Sequence, residues 1–369
     1  MDGADFLIIG GGIAGLSAAA RLAAHGKVIV LEAEEALGYH SSGRSVSTSH
    51  YGIGNAVVKA LTLHSRPFFE AQPDGFSDSP IAHFFASLYL AAEETLPLLD
   101  DLAVAMGEVT DAIERLDADG ISRLCSVVRT GPGAAIAALN DPTGLKLDAD
   151  ALLQGFARQF RAHGGEIRLG QRVEKIERRG DAWTVNDTVS APILVNAAGA
   201  WGDRVAALAS VTPLGLEPKR RTIIAVDPGM DVTGWPFVHS ITKDFYMLPE
   251  AGQLLASPVD EVDDEPSDAQ PDDYDIAYAA DRLEHYTTLK VTRIAHRWAG
   301  LRTFTSDRTP TAGFAPDAPG FFWLCGQGGY GLQTAPAMAA AVESLIAGTA
   351  WPLEDVAAAR IAPDRLLAR

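Results

Sequence analysis

The sequence predicts an α/β fold with an α+β insert, in which a Rossmann-like nucleotide-binding domain is interleaved with a domain rich in β-sheet. A β-run, a glycine turn and a small-residue helix follow one another in residues 6–24, and the same order returns in residues 320–347. Between these ends, residues 221–257 have the pattern of β-strands. A chain of 369 residues is also long for a single core, which favours two domains.

The N-terminal β-run, turn and helix carry the spacing G-x-G-x-x-G, which is typical of a dinucleotide site. Gly10 permits the tight turn, Gly12 lets the backbone approach a pyrophosphate, and Gly15 lets the helix pack on the strand. Glu32, which ends the second β-run, would bind ribose hydroxyls and repel a 2′-phosphate. The motif therefore favours FAD or NAD over NADP, and a turn that serves only packing is the alternative. The expected contacts are Gly10, Gly12, Ile13, Ala14, Gly15 and Glu32.

Charge and cysteine content exclude several classes of function. The net charge of −18 argues against binding to nucleic acid or to an anionic membrane surface. Cys125 and Cys325 lie far apart with no C-x-x-C pair, so we expect no metal site and a reducing, cytoplasmic location. No apolar run reaches transmembrane length, although peripheral membrane association stays open. The acidic run 260–273 is expected to be a solvated surface loop.

The remaining elements follow from periodicity and from helix or turn signals. Helices are predicted at residues 13–24, 56–71, 94–106, 148–162 and 333–347. Strands are predicted at residues 84–91, 166–169, 173–178, 183–185, 193–196, 222–226, 244–248, 253–256 and 320–325. Four glycines fall within residues 326–331, which predicts a tight turn before the last long helix.

The segment Gly38–Ser45, after the second β-run, resembles the flavin-contacting segment of the D-amino-acid oxidase/dehydrogenase superfamily of FAD enzymes. Further segments occur in the order of that superfamily: Val195–Trp201, Pro218–Arg221, Phe245–Leu248, Trp298–Arg302 and Gln327–Thr334. The resemblance spans essentially the whole chain and is strongest to bacterial FAD-dependent D-arginine dehydrogenases. It implies an FAD-binding domain of residues 1–76, 142–212 and 297–369, and a substrate-binding domain of residues 77–141 and 213–296.

The resemblance also implies which residues hold the flavin. They are Ser41, Ser42, Gly43, Arg44, Ser45, Val173, Ala198, Gly199, Trp201, Gly328, Gly329, Tyr330, Gly331, Leu332 and Gln333. Arg44 has a structural ion pair as its alternative role. The turn before the last helix would direct N–H groups at the flavin N1–C2=O locus. Superfamily members with covalent flavin use a cysteine or histidine near the segment of Arg302, which this chain lacks there, so we expect noncovalent FAD.

The reaction implied by the resemblance is oxidation of a D-amino acid by hydride transfer from Cα to flavin N5, and the imino acid then hydrolyses to a 2-oxo acid and ammonia. Arg302 corresponds to the carboxylate-binding arginine, and a guanidinium fork suits that task. Arg221, or less favourably Arg220, resembles a second such arginine. Tyr246 corresponds to a tyrosine that bonds the carboxylate, with a core aromatic as the alternative.

Four further residues are considered at the substrate. Tyr51 resembles a lid tyrosine, and Gly329 would accept the substrate amine through its carbonyl. His50, beside Tyr51, could act as a base but is expected to be loop surface. Ser87 corresponds to a glutamate that holds a cationic substrate side chain, so we expect neutral or apolar D-amino acids to be preferred over D-arginine and D-lysine.

Oxidase relatives place a lysine near N5, and residues 252–257 contain none, which favours a dehydrogenase that passes electrons to a quinone or another carrier. Three alternatives remain open at this point. The chain could oxidise a secondary amine or imino acid such as sarcosine, D-proline or hydroxyproline. It could be a non-catalytic flavoprotein subunit of a larger complex. A nicotinamide-dependent dehydrogenase is the most distant alternative.

Overall fold

A computed structural model describes residues 2–367 of the chain. The α-helices of this part are α1 (Ile13–Leu22), α2 (Ala56–Glu70), α3 (Leu96–Gly107), α4 (Ala118–Leu124), α5 (Ala149–Ala162), α6 (Gly202–Leu208), α7 (Asp273–Tyr286), α8 (Gly331–Ala347) and α9 (Asp364–Leu367). The strands are β1 (Asp2–Gly3), β2 (Phe6–Ile9), β3 (Val28–Leu31), β4 (Thr48–Ser49), β5 (Ala82–Phe84), β6 (Ser87–Ala91), β7 (Glu114–Asp117), β8 (Ala137–Asp141), β9 (Leu145–Leu147), β10 (Glu166–Arg168), β11 (Ile176–Arg179), β12 (Ala182–Val185), β13 (Val189–Ala191), β14 (Ile193–Asn196), β15 (Glu217–Val226), β16 (Phe237–Ser240), β17 (Tyr246–Glu250), β18 (Gln253–Ser257), β19 (Val262–Asp263), β20 (Ile294–Phe304), β21 (Thr311–Phe314) and β22 (Phe321–Cys325).

A six-stranded sheet joins the two ends of the chain in the order β10-β3-β2-β14-β22-β21. Its strands are parallel except for β21, and β2, β3 and β22 are buried along their whole length. Such strands are apolar on both faces because both faces are covered. Helices α1 and α8 pack together on one face through alanines, Leu22 and Met338. The small sheet β1-β13-β12-β11 and helix α6 cover the other face. The α/β fold class is confirmed.

A nine-stranded sheet, in the order β19-β15-β18-β17-β16-β6-β8-β7 with β20 beside β15, forms the second layer of the molecule. The long strands β15 and β20 are antiparallel, and their register places Lys219 opposite Arg302 and Arg221 opposite Gly300. Directly opposed residues point to the same face of a sheet. Arg221 and Arg302 are therefore diagonal neighbours on one face, whereas Arg220 points to the other.

Helix α7 was not predicted, because its sequence continues the acidic run that we expected to be a loop. Asp272 caps the helix by accepting a hydrogen bond from the Tyr274 N–H at 2.8 Å. Ile276, Ala279 and Leu283 are buried on the side that packs on the nine-stranded sheet. Their spacing is helical, but acids between them obscure the pattern.

Two other findings concern a predicted domain segment and the length of the helices. Strand β20 starts at Ile294 and lies in the nine-stranded sheet along its whole length. The segment 297–369, predicted to belong to the FAD-binding domain, therefore contributes strands to both large sheets. No helix within residues 2–367 is long and apolar enough to cross a bilayer.

Candidate active site

Three cavities lie in series between the two large sheets. The first cavity, of about 170 Å³, lies at the carboxyl ends of β2 and β3 and is lined by Gly10, Gly12, Glu32, Val173, Ala198 and Trp201 among others. The second, of about 130 Å³, shares Gly12, Ser41, Ser42 and Gly199 with the first. The third, of about 450 Å³, shares Ser45, Arg221, Arg302 and Gly329 with the second. The series is thus a continuous path from the glycine motif to the nine-stranded sheet.

The glycine turn between β2 and α1 leaves no space for side chains. Gly10 has a φ of 111°, and a Cβ there would lie 2.4 Å from the Ala197 carbonyl oxygen. A Cβ on Gly15 would lie 2.0 Å from the carbonyl oxygen of Gly10. Gly15 therefore serves the packing of α1 and does not line a cavity, whereas Gly10 and Gly12 line the first one. This is the division of roles expected for a turn that a pyrophosphate approaches.

Glu32 is fixed at the wall of the first cavity by two backbone groups. Its Oε2 accepts a hydrogen bond from the Gly11 N–H at 2.6 Å, and its Oε1 accepts one from the Glu34 N–H at 2.9 Å. A carboxylate oxygen can accept more than one hydrogen bond, so both oxygens can still receive ribose hydroxyls.

The second cavity contains polar atoms that lack partners. Thr303 Oγ1 and Gln327 Nε2 are buried and have no hydrogen-bond partner in the described chain. Ser42 Oγ accepts a hydrogen bond from the Ile13 N–H at 3.0 Å, at the start of α1. Buried polar atoms of this kind require a partner, and a polar ring system in this cavity would supply one. The residues present therefore fit the flavin of an FAD whose ADP part occupies the first cavity.

Most of the residues expected to hold the flavin line the first or second cavity. Those lining the second are Gly12, Ile13, Ala14, Ser41, Ser42, Arg44, Ser45, Gly199, Gly328, Gly329, Gly331 and Leu332. Tyr330 and Gln333 line the third cavity instead. Gly43 lines none of the three, because it lies against the carbonyl oxygen of Gly38, which accepts its N–H at 2.8 Å.

Arg44 adopts the alternative role of a structural ion pair. Its guanidinium donates to the carbonyl oxygens of Ala269 and Ala299, each at 3.1 Å, and forms an ion pair with Asp268. Arg44 also lines the second cavity. Arg44 thus connects the loop before α7 to β20, and its charge is paired with that of Asp268.

Arg302, Arg221 and Tyr246 line the third cavity together, next to its junction with the second. No carboxylate of residues 2–367 lies within 4.0 Å of the Arg302 guanidinium. The Tyr246 hydroxyl is buried and has no hydrogen-bond partner in the described chain. Two guanidinium groups and a free hydroxyl form a site that is complementary to a carboxylate.

Arg221 is held in place by the start of the acidic run. Its Nε donates to the Asp260 carbonyl oxygen at 2.7 Å, and Asp260 in turn accepts the Thr222 N–H at 2.7 Å. Glu261 lies 3.4 Å from Arg221 and also pairs with Arg308. Burial, and then the charge of Arg302, lower the pKa of Arg221 to about 10, so it stays charged at neutral pH. The expectation of a solvated loop is therefore wrong for Asp260, whereas Glu261 is exposed and pairs with two arginines.

Arg220 lies on the opposite face of β15, where it pairs with Asp264 at 3.3 Å and with Asp275 of α7 at 2.9 Å. Of the two arginines considered from the sequence, Arg221 is thus the one that lines the cavity.

Two histidines and two aromatic residues form the middle wall of the third cavity: His50, Tyr89, Phe237 and His239. The Tyr89 hydroxyl and His50 Nδ1 are 2.7 Å apart, and the His239 ring stacks on Tyr89 with centroids 4.8 Å apart. Burial, and then the charge of Arg302, lower the pKa of His50 to about 3. Burial lowers the pKa of His239 as well. Both rings are therefore neutral at neutral pH.

Three expectations about substrate residues are corrected here. His50 is not loop surface, since only 3% of it is exposed and it lines the cavity. Tyr51 points away from the cavity into a cluster with Leu99 and Met106, and its ring lies under the Arg66 guanidinium. Ser87 is buried and does not line the cavity, because Gly144 covers it.

Several lining residues were not found from the sequence, among them Tyr89, Phe237, His239, Glu261 and Arg308. Only the pattern Phe237-Val238-His239 could have indicated the site. Alternate residues of a strand share a face, so this pattern places the polar ring of His239 beside Phe237 on one face. The others depend on contacts between distant segments.

Comparison with known proteins agrees with this arrangement. The family model "FAD dependent oxidoreductase" matches residues 5–345. The bifunctional tRNA 5-methylaminomethyl-2-thiouridine biosynthesis protein MnmC of Burkholderia lata is 27% identical over 417 aligned residues, which cover 98% of this chain and 60% of that protein. The chain thus spans about 60% of the length of that relative.

Two solved structures share the fold. L-α-glycerophosphate oxidase from Mycoplasma pneumoniae with FAD bound has a TM-score of 0.84 at 20% identity, covering 94% of this chain and 95% of that one. L-proline dehydrogenase from P. horikoshii has a TM-score of 0.86 at 19% identity, covering 100% and 98% of the two chains. The family match, the glycine motif and the three connected cavities lead to one conclusion: the chain belongs to the FAD-dependent oxidoreductase family and uses FAD as its cofactor.

Proposed function

We propose that this chain oxidises D-amino acids whose side chains carry no positive charge to imino acids, which hydrolyse to 2-oxo acids and ammonia. The observation that carries the proposal is the grouping of Arg302, Arg221 and the unpartnered Tyr246 hydroxyl where the third cavity meets the second. FAD bound in the first two cavities supplies the acceptor for a hydride from Cα. The protein's task is to hold the substrate so that this Cα faces the flavin.

The side chains divide this task between them. Arg302 receives the carboxylate in a bidentate grip, and Tyr246 donates a third hydrogen bond. Arg221, fixed by Asp260 and Glu261, adds a second positive charge without being free to move. Gly329 borders both cavities, so its carbonyl oxygen is the candidate acceptor for the substrate amine.

The proposed preference against cationic side chains rests on the lining of the third cavity. Ser87 does not support this preference, because it does not line the cavity. Of the two carboxylates in the lining, Glu261 is engaged by two arginines, and Asp101 lies at the exposed mouth. An unpaired buried cation is costly, so D-arginine and D-lysine are poor substrates. The resemblance to D-arginine dehydrogenases therefore does not extend to this preference.

Two further proposals concern the flavin. Cys125 and Cys325 are both buried and line none of the three cavities, which supports noncovalent FAD. The lining of the second cavity includes no lysine, which supports a dehydrogenase that reduces a quinone or another carrier. Rapid consumption of oxygen during turnover would contradict the second of these proposals.

A secondary amine or imino acid is a second candidate substrate. The candidate acceptor for the substrate amine is one backbone carbonyl, that of Gly329, and one acceptor is sufficient for an amine with one N–H. One fold neighbour is named L-proline dehydrogenase, and because the amine of proline is secondary, this name also supports the second candidate.

A panel of substrates tests the proposal. The holoenzyme is assayed with an artificial electron acceptor and D-methionine, D-leucine, D-phenylalanine, D-arginine, their L-enantiomers, sarcosine and D-proline. We expect kcat/KM to be at least about tenfold higher for the three neutral D-amino acids than for D-arginine. A higher value for D-arginine would overturn the side-chain preference. Turnover of sarcosine or D-proline alone would favour the second candidate, and no turnover with gel filtration showing a larger assembly would favour a subunit role.

A further inference from the structure

The outer end of the third cavity carries two lysines that the proposed chemistry does not use. Lys59, on α2, is only 9% exposed, and Lys243, in the turn between β16 and β17, is exposed. Both line the cavity, at the end that also includes Leu98 and Asp101 of α3. Arg302 and Gly329 mark the opposite, flavin-facing end.

Neither lysine forms an ion pair within the part of the chain that the structure describes. No carboxylate of residues 2–367 lies within 4.0 Å of either ammonium group. Lys59 Nζ donates one hydrogen bond, to the Ala105 carbonyl oxygen at 3.1 Å near the end of α3, and an ammonium group has three N–H donors. A buried ammonium with unused donors is costly unless an anion accompanies it.

The two lysines line the same cavity, and the charge of one acts on the other. Burial lowers the pKa of Lys59, Glu108 opposes this, and the charge of Lys243 lowers that pKa further. Two like charges beside one cavity stabilise a bound anion more than either does alone. The same bias holds for the whole cavity, where five basic side chains line the wall against two carboxylates, although the chain has a net charge of −18.

We propose that Lys59 and Lys243 form a subsite for a second anionic group, so that the preferred substrate is an amino acid whose side chain ends in a carboxylate. The α-carboxylate lies at Arg302 and Tyr246, and the neutral wall of His50, Tyr89, Phe237 and His239 contacts the methylene groups between the two anions. This inference rests on the proposed function and narrows its substrates from amino acids without a positively charged side chain to those with an anionic side chain.

The alternative role for Lys59 is to cap α3. The two roles separate on substitution with glutamine, because Lys59→Gln keeps a donor for the Ala105 carbonyl oxygen and removes the charge. Lys243→Gln removes the other charge at an exposed site, and Lys290→Gln, at a surface lysine paired with Glu284, is the matched control for loss of one charge.

The experiment compares ligands that differ only in charge. Glutarate and its monoamide are titrated into the holoenzyme, with the flavin absorbance as the readout, and kcat/KM is measured for D-glutamate against D-glutamine. We expect the wild type to favour the dianion about tenfold in both measurements, and Lys59→Gln with Lys243→Gln to abolish the preference while affinity for the monoamide changes less than about twofold.

Each outcome decides between the proposals. Equal binding of glutarate and its monoamide by the wild type, or a preference that survives the double substitution, would overturn the subsite. Retained preference for glutarate without oxidation of any amino acid would leave the subsite standing and remove the proposed function. Oxidation of D-amino acids with no preference for D-glutamate would overturn the subsite and leave the proposed function standing. If Lys59→Gln fails to retain FAD, Lys243→Gln alone must reduce the preference at least about threefold.

Discussion

The unpartnered hydroxyl of Tyr246 offers a test in which substrate binding and stability change in opposite directions. Tyr246 is 4% exposed, and its hydroxyl has no hydrogen-bond partner in the described chain. Tyr246→Phe removes this atom and nothing else. A hydrogen bond to a charged group contributes about 1.5–3 kcal/mol, so kcat/KM should fall by about tenfold to a hundredfold.

The same change should not destabilise the protein without substrate. A buried hydroxyl without a partner costs about 1–3 kcal/mol, so its removal should leave the free energy of unfolding unchanged or raise it. Tyr286→Phe is the matched control, because the Tyr286 hydroxyl donates to Asp244 Oδ1 at 2.8 Å and Tyr286 lines none of the three cavities. That control should lose about 1 kcal/mol of stability and keep its activity.

The assay combines steady-state kinetics of the holoenzyme with urea unfolding of both variants and the wild type. The reasoning is refuted if Tyr246→Phe loses as much stability as Tyr286→Phe while kcat/KM stays within twofold of the wild type. That result would make Tyr246 a core aromatic, as the sequence alone left open.

Three other predictions follow from named contacts. Arg302→Lys keeps the charge but loses the fork, and kcat/KM should fall about a hundredfold, mainly through KM, in the same kinetic assay; an unchanged KM would contradict carboxylate binding at this residue. Gly10→Ala places a Cβ 2.4 Å from the Ala197 carbonyl oxygen, so the purified variant should contain little flavin per chain, whereas Gly107→Ala, with nothing within 4 Å, should be normally loaded. The pKa of His50 is lowered from 6.5 to about 3, so the unfolded state binds the extra proton between these values and stability falls as pH decreases below 6.5. Between pH 8 and pH 5 this residue alone should cost about 2 kcal/mol in urea unfolding, a loss that His50→Gln should reduce by that amount.

The features that were predicted best from the sequence are those that depend on local patterns. The β-run, the glycine turn and Glu32 lie within thirty residues of one another, and each has a backbone reason that no distant contact can change. The two ends of the chain meet in one sheet because parallel strands flanked by small-residue helices have few other ways to bury both faces.

The missed features depend on contacts between distant segments. Whether Asp260 is solvated depends on Arg221, nearly forty residues earlier, and the acidic run itself does not reveal this partner. Arg44 was open between two roles for the same reason, since Ala299 and Asp268 decide it.

The position of Ser87 shows a different limit. Ser87 and Tyr89 share one face of β6, but only Tyr89 reaches the cavity because the segment at Gly144 covers Ser87. The correspondence to a relative pointed to Ser87 on a middle strand, and the structure shows that this residue does not line the cavity. The proposed preference for side chains without positive charge therefore rests on the lining of the third cavity as a whole and not on Ser87.

One measurement tests the central claim most directly. The holoenzyme is mixed without oxygen with D-amino acids, L-amino acids and secondary amines in turn, and the flavin absorbance is followed for the wild type and for Arg302→Ala. We predict that D-amino acids without a cationic side chain bleach the flavin of the wild type, and that Arg302→Ala, loaded equally with FAD, requires at least about a hundredfold more substrate. Absence of bleaching with every amine, or equal bleaching of the two proteins, would contradict the account.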